Sequence, residues 1–342
     1  MKKFFGVIGN PPYQVDPELG STRSLPIYND FMDQSYLLAD KVMLVTPARF
    51  LFDSGQTSST WNRKMLEDEH LKVVMYEPDS KKVFSGVEIK GGVAVTYRDA
   101  NEDFGAIKMF IPNPLLKSIV DKAGAKSDAD SLFGISGTQC NYNFNELYDD
   151  HPEYSQFISG NGRHSQLKSN ALERVPIFTE KKEHDDDIRI LGLVERSRVY
   201  RWCARRYLDL ANENLMKYKV IIPASNGSGT FGEVLSTPLI GEPETGFTQT
   251  FMCIGLFDTR FEAESALKYV KSKFGRALLG VLKNTQHNPP VTWRMIPIQD
   301  FTPQSDIDWS KPISEIDQQL YAKYGFDADE VEFIETHVRE MS

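Results

Sequence analysis

A short apolar run that leads directly into two consecutive prolines constrains the fold of this chain more than any other feature. Residues 4–13 read Phe-Phe-Gly-Val-Ile-Gly-Asn-Pro-Pro-Tyr. The apolar part predicts a β-strand over residues 4–9. Each proline fixes its own φ and lacks an N–H, so the backbone leaves the strand along one extended path. Asn10 and Tyr13 are therefore held on either side of a rigid turn.

The residues around this turn have the chemistry needed to bind an adenine that is rotated out of a DNA duplex. The Asn10 amide oxygen and the Pro11 carbonyl accept hydrogen bonds from an exocyclic amino group, and the Tyr13 ring offers a stacking surface. Such a site aims the amino nitrogen at an electrophilic methyl group. The alternative interpretation is a proline-rich exit from a strand with an incidental tyrosine.

The motif resembles that of the amino-group DNA methyltransferases that modify adenine N6, specifically the restriction-modification methylases with a C-terminal recognition domain. The resemblance continues through residues 27–32, 42–51 and 83–97 and, more loosely, to residues 316–325. It implies S-adenosylmethionine as the methyl donor and double-stranded DNA as the partner. It also implies the site residues: Asn10, Pro11, Pro12 and Tyr13 as catalytic residues and Phe84 as a second wall of the base pocket, for which ordinary core packing is the alternative.

Strand and helix signals alternate over the first hundred residues, which predicts an α/β fold with a doubly wound sheet. The predicted strands cover residues 4–9, 42–46, 71–76 and 93–97, and the predicted helices cover residues 26–38 and 60–68. The resemblance makes this a partial Rossmann-like methyltransferase sheet, followed by a mixed α+β target-recognition domain. We therefore expect a catalytic half over residues 1–115, a linker or loop region over 116–150, and a recognition domain with a C-terminal helical tail over 151–342.

Further elements are expected in the second half of the chain. Strand signals appear at residues 189–194, 218–223 and 250–254. A single amphipathic helix is predicted over residues 260–282, because acidic residues stand at its start and lysines follow later.

Composition excludes several classes of protein. The 342 residues suit about two domains, and the apolar runs are too short to span a bilayer. Cys140, Cys203 and Cys253 are scattered without paired spacing, which fits reduced thiols in the cytoplasm and predicts no metal site. The net charge of −9 opposes DNA binding unless positive charge is clustered.

Positive charge and hydrogen-bonding side chains do cluster in the second half. Six arginines fall within residues 189–206, where phosphate contact competes with a solvated helix face as their role. Polar side chains at residues 226–230 and 285–288 suit base-edge and phosphate contacts, with a structural turn as the alternative for the second segment. The resulting DNA-binding set is Arg196, Arg198, Arg201, Arg205, Asn226, Ser228, Gln286, His287 and Asn288.

The glycine-rich loop that these methyltransferases use to bind the cofactor is missing before the Asn-Pro-Pro-Tyr strand. Residues 226–230 are the candidate for a circularly permuted loop, but the glycines and proline that follow disfavour the helix such a loop needs. We therefore leave the cofactor-binding residues unassigned. The strand at residues 4–9 is then expected to be an exposed edge, covered either by a second polypeptide with the glycine loop or by the chain's own C-terminal segment.

The sequence thus predicts a site-specific adenine-N6 DNA methyltransferase of a restriction-modification system, active with a partner that supplies the cofactor loop. A non-catalytic specificity subunit, a cytosine-N4 or non-DNA amino-methyltransferase, and a restriction endonuclease component remain as alternatives. The nuclease alternative rests on the triplet Glu88-Ile89-Lys90, whose position matches the methylase segment instead.

Overall fold

The computed structural model describes residues 4–15, 24–52, 56–86, 88–156, 158, 165–211, 213–283 and 285–341. Val87, which falls in the segment that resembles the methylases, lies outside the described residues. The chain divides into two compact units, Met1–Pro112 and Asn113–Ser342.

The first unit is a four-stranded sheet with two helices. Its elements are β1 (Phe4–Gly9), α1 (Tyr28–Leu38), β2 (Ala39–Pro47), α2 (Ser59–Leu66), β3 (Leu71–Glu77) and β4 (Val93–Asp99). The strand order is β1-β2-β4-β3. The β1 and β2 strands are parallel, and β4 is antiparallel to both of its neighbours, so β1, β2 and β3 run in one direction. The α/β class is confirmed, but the sheet is mixed because β4 is reversed.

Aromatic packing fixes the layer between the helices and this sheet. Phe50 is fully buried, and its ring centroid lies 5.4 Å from that of Trp61 and 6.3 Å from that of Tyr28. These edge-to-face and tilted contacts join α1, α2 and the turn that follows β2. The carboxyl ends of β1 and β2 are thereby held on a rigid support.

The second unit contains two sheets and a helical layer. Its strands are β5 (Ser136–Gly137), β6 (Ile188–Val194), β7 (Ser197–Cys203), β8 (Tyr218–Pro223), β9 (Leu239–Gly241), β10 (Thr245–Phe247) and β11 (Phe251–Phe257). Its helices are α3 (Pro114–Ala123), α4 (Phe144–Asp150), α5 (Ala171–Arg174), α6 (Arg260–Lys271), α7 (Lys273–Leu282), α8 (Ile313–Lys323) and α9 (Ala328–His337). The sheets have the orders β10-β6-β7 and β5-β11-β8-β9.

The helix predicted over residues 260–282 is two helices, because the chain breaks at Ser272. This residue is buried and extended, with φ −59° and ψ 153°. Its hydroxyl donates to the Tyr269 carbonyl that ends α6 and accepts from the Gly275 amide that begins α7. A serine that caps both helices gives no break in the apolar pattern, so periodicity alone does not reveal it.

Residues 116–150, interpreted from their composition as a linker, are ordered parts of the second unit. They include most of α3, the short strand β5, which pairs with β11, and α4. Leu132 within them is fully buried and belongs to the hydrophobic core that contains Trp293. Most residues of this segment are small or polar, and only a few are buried and apolar. The composition of the whole segment therefore does not reveal that it packs into the core.

No helix among the described residues has both the length and the apolar character required to cross a membrane.

Candidate active site and nucleic-acid interface

A cavity of about 490 Å³ opens at the carboxyl ends of the parallel strands β1 and β2. It is lined by all four residues of the Asn-Pro-Pro-Tyr motif, and the remaining walls come from the strand exits and loops around it: Gln14, Ser24, Pro26, Tyr28, Pro47, Arg49, Gln56, Glu88, Ile89 and Lys90. Crevices at the carboxyl ends of parallel strands are the usual ligand sites of open α/β sheets.

The turn after β1 is held against the segment that enters α1. The Val15 amide donates to the Leu25 carbonyl at 3.0 Å, and the Ile27 amide donates to the Tyr13 carbonyl at 3.1 Å. Asn10 is exposed, whereas Pro11 and Tyr13 are half-buried. The rigid turn therefore presents the Asn10 amide at the mouth of the cavity and the tyrosine inside it.

Phe84 lies beside Tyr13, as expected for a second aromatic wall, but it is not among the residues that line the cavity. The two ring centroids are 6.3 Å apart with an interplanar angle of 66°. The backbone of Phe84 is fixed by a 2.8 Å hydrogen bond from its amide to the Ser80 carbonyl. Burial raises the pKa of Tyr13 to about 12, and its hydroxyl has no hydrogen-bond partner among the described residues. The tyrosine thus stays neutral and contributes an apolar surface.

Two cationic residues, Arg49 and Lys90, line the same cavity, and the sequence analysis assigned neither of them to the methylase site. Arg49 follows β2, and its Nε donates to the Lys90 carbonyl at 2.5 Å. Gly91, at φ +88°, permits this contact, because a Cβ there would lie 2.8 Å from Cγ of Arg49. The signal available in the sequence was the Thr-Pro-Ala-Arg exit from the second strand, which places a guanidinium at the carboxyl edge of the sheet.

The outer edge of β1 is unpaired among the described strands, as the sequence predicts for residues 4–9. Its apolar side chains are exposed on both faces: Phe5 by 86% and Ile8 by 85%. A shallow apolar cavity of about 450 Å³ runs along it, lined by Phe4, Phe5, Gly6, Val7, Ile8, Lys41, Met43 and Tyr97. A parallel strand is normally covered on both faces, and this one is not.

In the second unit, the structure brings together the two polar loops that the sequence placed about sixty residues apart. Ser225 and His287 form an isolated antiparallel bridge, and the Asn226 amide donates to the Gln286 carbonyl at 2.7 Å. Ser228, Gln286 and His287 are exposed. These three side chains therefore lie exposed on two loops that are bonded to each other, with the Ser228 hydroxyl also bonded to Thr230 and that of Ser225 to His287.

Asn226 and Asn288 are buried within these loops, which corrects their prediction as DNA contacts. Asn226 is 4% exposed, its amide nitrogen donates to the Val234 carbonyl, and its oxygen accepts from the Ser236 amide. Asn288 is fully buried, and its oxygen accepts from the Thr292 hydroxyl at 3.0 Å. Both amides organise the loops from inside and cannot reach a duplex in this conformation.

Glu233 occupies the backbone amides of the candidate glycine loop. Its carboxylate accepts from the amide of Ser228 at 2.8 Å and from that of Gly229 at 3.1 Å, and it pairs with the buried Lys283. Burial raises the pKa of Glu233, but the bonds from Lys283 and the two amides outweigh it and hold the pKa below its usual value. The carboxylate of Glu233 thus occupies the backbone amides that the carboxylate or ribose hydroxyls of S-adenosylmethionine would need, so this loop does not fit the cofactor.

Replacing Glu233 by alanine is expected to lower the free energy of unfolding by about 3–5 kcal/mol, because the Lys283 ammonium would remain buried without its carboxylate. The side chain of Lys283 is 3% exposed. Urea unfolding measures the change. Glu264→Ala is the matched control, since its pair with Arg260 is half exposed and is expected to contribute less than about 1 kcal/mol. Equal effects of the two substitutions would contradict a structural role for Glu233.

The arginine-rich segment forms strands, so the alternative of a solvated helix face is wrong. Arg198 donates to the Thr237 carbonyl at 2.7 Å and lies over the Phe251 ring. Arg201 pairs with Glu180 and Arg205 with Glu244, each at 3.2 Å. Arg196 stands exposed at the turn between β6 and β7. Most of the positive charge is therefore balanced by nearby carboxylates.

No group of three or more His, Cys, Asp and Glu side chains in the described part of the chain is arranged to hold a metal ion. The three cysteines are free and buried. Burial raises the pKa of Cys140 to about 11 and that of Cys253 to about 12, so these thiols stay protonated.

Comparison with known proteins finds a family match over part of the first unit. Residues 1–84 match the model of a family described as the Eco57I restriction-modification methylases. A protein of Mycoplasma pneumoniae described as an uncharacterized adenine-specific methylase is 31% identical over 94 residues, which are 27% of this chain and 22% of that protein. The chain therefore spans about a fifth of the length of this curated relative.

Solved structures with weak overall likeness include three restriction enzymes. The type IIG restriction endonuclease BpuSI has a TM-score of 0.33 at 10% identity, over 92% of this chain and 48% of its own. The type IIL restriction-modification enzyme MmeI in complex with DNA has a TM-score of 0.35 at 9% identity, over 91% and 50%. The ATP-dependent type ISP restriction-modification enzyme LlaBIII bound to DNA has a TM-score of 0.27 at 14% identity, over 98% and 30%.

The family match covers β1, the rigid turn and the residues that line the cavity up to Gln56, whereas Glu88, Ile89 and Lys90 lie beyond it. Residues 1–84 of this chain therefore match the family model of the Eco57I restriction-modification methylases, which agrees with the resemblance that the Asn-Pro-Pro-Tyr motif predicts.

Proposed function

We propose that this chain provides the adenine-binding half and the target-recognition domain of a DNA methyltransferase that modifies adenine N6 in a restriction-modification system. One observation carries the proposal: Asn10, Pro11, Pro12 and Tyr13 line a single cavity at the carboxyl ends of β1 and β2, with Phe84 against Tyr13. The family match over residues 1–84 and the adenine-specific description of the relative support the same function.

In the proposed mechanism, the target adenine leaves the duplex and enters this cavity. Tyr13 stacks on the base, and Phe84 forms the second apolar wall. The Asn10 amide oxygen and the Pro11 carbonyl accept hydrogen bonds from N6. Two acceptors in these positions favour a pyramidal nitrogen with an available lone pair, which is the nucleophile that methyl transfer needs.

Arg49 and Lys90 extend this site beyond the base. Both line the cavity, and a nucleotide that swings out of a duplex brings its phosphates with it. A guanidinium and an ammonium at the rim are suited to bind those phosphates and hold the sugar in place. We assign to them the positioning of the target nucleotide, with no part in the chemical step.

S-adenosylmethionine is the proposed methyl donor, and the described residues form no glycine loop for it. The candidate at residues 226–230 does not fit, because Glu233 already occupies its amides. The free edge of β1 offers the alternative. Since β1, β2 and β3 run in one direction, the sheet suits one half of a Rossmann-like fold, and a second polypeptide with the glycine loop would complete it beside β1.

DNA recognition is proposed for the second unit. Ser228, Gln286 and His287 are exposed on two loops that are bonded to each other, and their hydroxyl, amide and imidazole groups are suited to base edges and phosphates. Arg196, Arg198, Arg201 and Arg205 lie on or near β7 and are the proposed source of positive charge.

Charge reversal tests the phosphate role of two of these arginines. Arg201→Glu and Arg205→Glu are expected to weaken duplex binding and to reduce the slope of log K against log salt by roughly 0.9 for each phosphate that the arginine neutralises in the unaltered chain. Fluorescence anisotropy over a series of salt concentrations measures this slope. A slope equal to that of the unaltered chain would mean that Arg201 and Arg205 stay paired with Glu180 and Glu244 and do not contact phosphates.

The reaction is tested by transfer of tritium from labelled S-adenosylmethionine to DNA. The chain is assayed together with the protein that supplies the glycine loop, on duplex pools whose only candidate amino group is that of adenine or that of cytosine. Label in N6-methyladenine would support the proposal. Label in N4-methylcytosine would show that the enzyme is a cytosine-N4 methyltransferase instead. Saturable DNA binding without any transfer would favour a specificity subunit, the second candidate, which also agrees with the absence of a glycine loop from the described residues.

A further inference from the structure

The turn that joins β6 to β7 has an unusual backbone for its sequence. Val194 pairs with Ser197, so the loop of this hairpin has only two residues, Glu195 and Arg196. Their φ angles are +49° and +66°, the left-handed pair of a type I′ turn. Such turns strongly prefer Asn-Gly or Asp-Gly, because side chains larger than these are strained at positive φ. A Glu-Arg pair in this turn is costly to the fold.

The strained turn is also braced. The Glu195 amide donates to a carboxylate oxygen of Glu173 at 2.9 Å. Two residues below the tip, the Arg198 guanidinium donates to the carbonyls of Ser236 and Thr237, at 3.1 and 2.7 Å. These hydrogen bonds fix the hairpin on both sides and hold its tip in one place. Strain that the surroundings maintain in this way is typical of functional positions.

Arg196 differs from the other arginines of the cluster. Arg189, Arg201, Arg205 and Arg206 each form an ion pair, and Arg198 bonds to carbonyls. The guanidinium of Arg196 is exposed and has no ion-pair or hydrogen-bond partner within the described ranges. The fold therefore places one guanidinium without a partner among the described residues at the tip of the β6–β7 hairpin, which is two-stranded beyond the part of β6 that pairs with β10.

We propose that the β6–β7 hairpin enters the major groove of the target DNA and that Arg196 reads a guanine there; this rests on the DNA-binding function proposed above. The major groove admits a two-stranded ribbon, and a guanidinium forms two hydrogen bonds with O6 and N7 of guanine. A rigid tip favours base readout over phosphate contact, because two simultaneous bonds need a fixed position and phosphate attraction does not. The guanidinium groups of the other five arginines already bond to protein groups, so they are less available to a base.

The test is selection of duplexes from a random-sequence pool by the full chain, followed by sequencing of the bound fraction. The unaltered chain is expected to enrich a motif that contains at least one fixed guanine. In Arg196→Ala, the preference for guanine at one position should fall by about 5- to 150-fold while the other positions of the motif persist. Arg339→Ala, which removes another exposed arginine of the same unit, is the matched control and should leave the motif unchanged.

A second variant separates the loss of base readout from damage to the fold. Glu195→Asn with Arg196→Gly supplies the residues that this turn prefers, so the Tm should rise while the guanine preference disappears. Three outcomes would overturn the proposal: an unchanged motif in both variants, an equal loss at every position with a shallower salt dependence, or a motif without guanine. Failure of the unaltered chain to bind any duplex would overturn the DNA-binding function itself and the hairpin assignment with it.

Discussion

Alanine at Asn10 or at Tyr13 is expected to reduce methyl transfer by at least about 100-fold while duplex affinity stays within about twofold. Removing one well-placed polar partner of a reacting centre typically costs 100- to 1,000-fold in rate, and Asn10 supplies one of only two proposed acceptors for N6. Tyr13 holds the base through its ring. Both residues contact the flipped base alone, so the interactions that bind the duplex should persist. Tritium transfer and anisotropy, measured in the active assembly, give the two quantities.

The hydroxyl of Tyr13 provides an internal control. It is buried without a hydrogen-bond partner among the described residues, so Tyr13→Phe should keep most of the activity. Asn101→Ala, which removes an exposed amide from the turn after β4, should change neither rate nor affinity. Near-normal turnover in Asn10→Ala or Tyr13→Ala would exclude the motif from the reaction. A large loss in Tyr13→Phe would mean that the hydroxyl acts on the substrate and that the stacking role is incomplete.

The features that the sequence predicted well are those that local physics determines. The strands at residues 4–9 and 71–76 and the helix before β2 follow from apolar runs and periodicity, and each lies within a residue or two of its predicted bounds. The α/β class was predicted from the alternation of strand and helix signals and the family from the Asn-Pro-Pro-Tyr motif, and residues 1–84 match the model of that family. The exposed edge of β1 was predicted from topology, and the strand order confirms it.

The features that the sequence did not reveal depend on contacts between distant residues. The reversed direction of β4 is set by its antiparallel pairing with both β2 and β3, which joins residues far apart in the chain. Arg201 and Arg205 looked like free positive charge, because Glu180 and Glu244 lie 21 and 39 positions away from them. The guanidinium of Arg49 is oriented by its hydrogen bond to the carbonyl of Lys90, which lies 41 positions further along the chain.

The two buried asparagines show the same limit at the candidate interface. Amide side chains near glycine and proline suit base contacts and internal loop bonds equally well. Asn226 bonds to Val234 and Ser236, and Asn288 bonds to Thr292, so burial decides between the two roles. Residues 226–230 show the same limit. A glycine-rich loop suits an anion, and here the anion is the carboxylate of Glu233 from the same chain.

The exposed edge of β1 leads to the prediction with the largest consequence. The purified chain alone is expected to show no saturable binding of S-adenosylmethionine, and methylation should require a second polypeptide that carries the glycine loop. The reason is that, among the described residues, β1 has no partner strand on its outer side and its apolar side chains are exposed on both faces. A partner strand with its own helices would supply the pairing and cover the side chains, and would place the cofactor next to Asn10.

Lysine at Ile8 should weaken this association by at least about 100-fold. The substitution forfeits about 1.5–3 kcal/mol of apolar burial and forces an ammonium out of water at the new interface. Because Ile8 is 85% exposed in the chain, the fold of the first unit itself should not change. Val74→Lys is the matched control: it lies on β3 at the opposite edge of the same sheet and is 53% exposed.

Sedimentation and calorimetric titration measure the association and the cofactor binding that depends on it. The expected pattern is a stable complex for the unaltered chain and for Val74→Lys, a weakened complex for Ile8→Lys, and cofactor binding only where the complex forms. The duplex affinity of the isolated chain should be the same in all three, since it depends on the second unit. Tight, stoichiometric cofactor binding by the unaltered monomer would refute the split site. The cofactor would then have to bind within this chain. The candidate loop at residues 226–230 would have to be considered again, although the carboxylate of Glu233 occupies its amides.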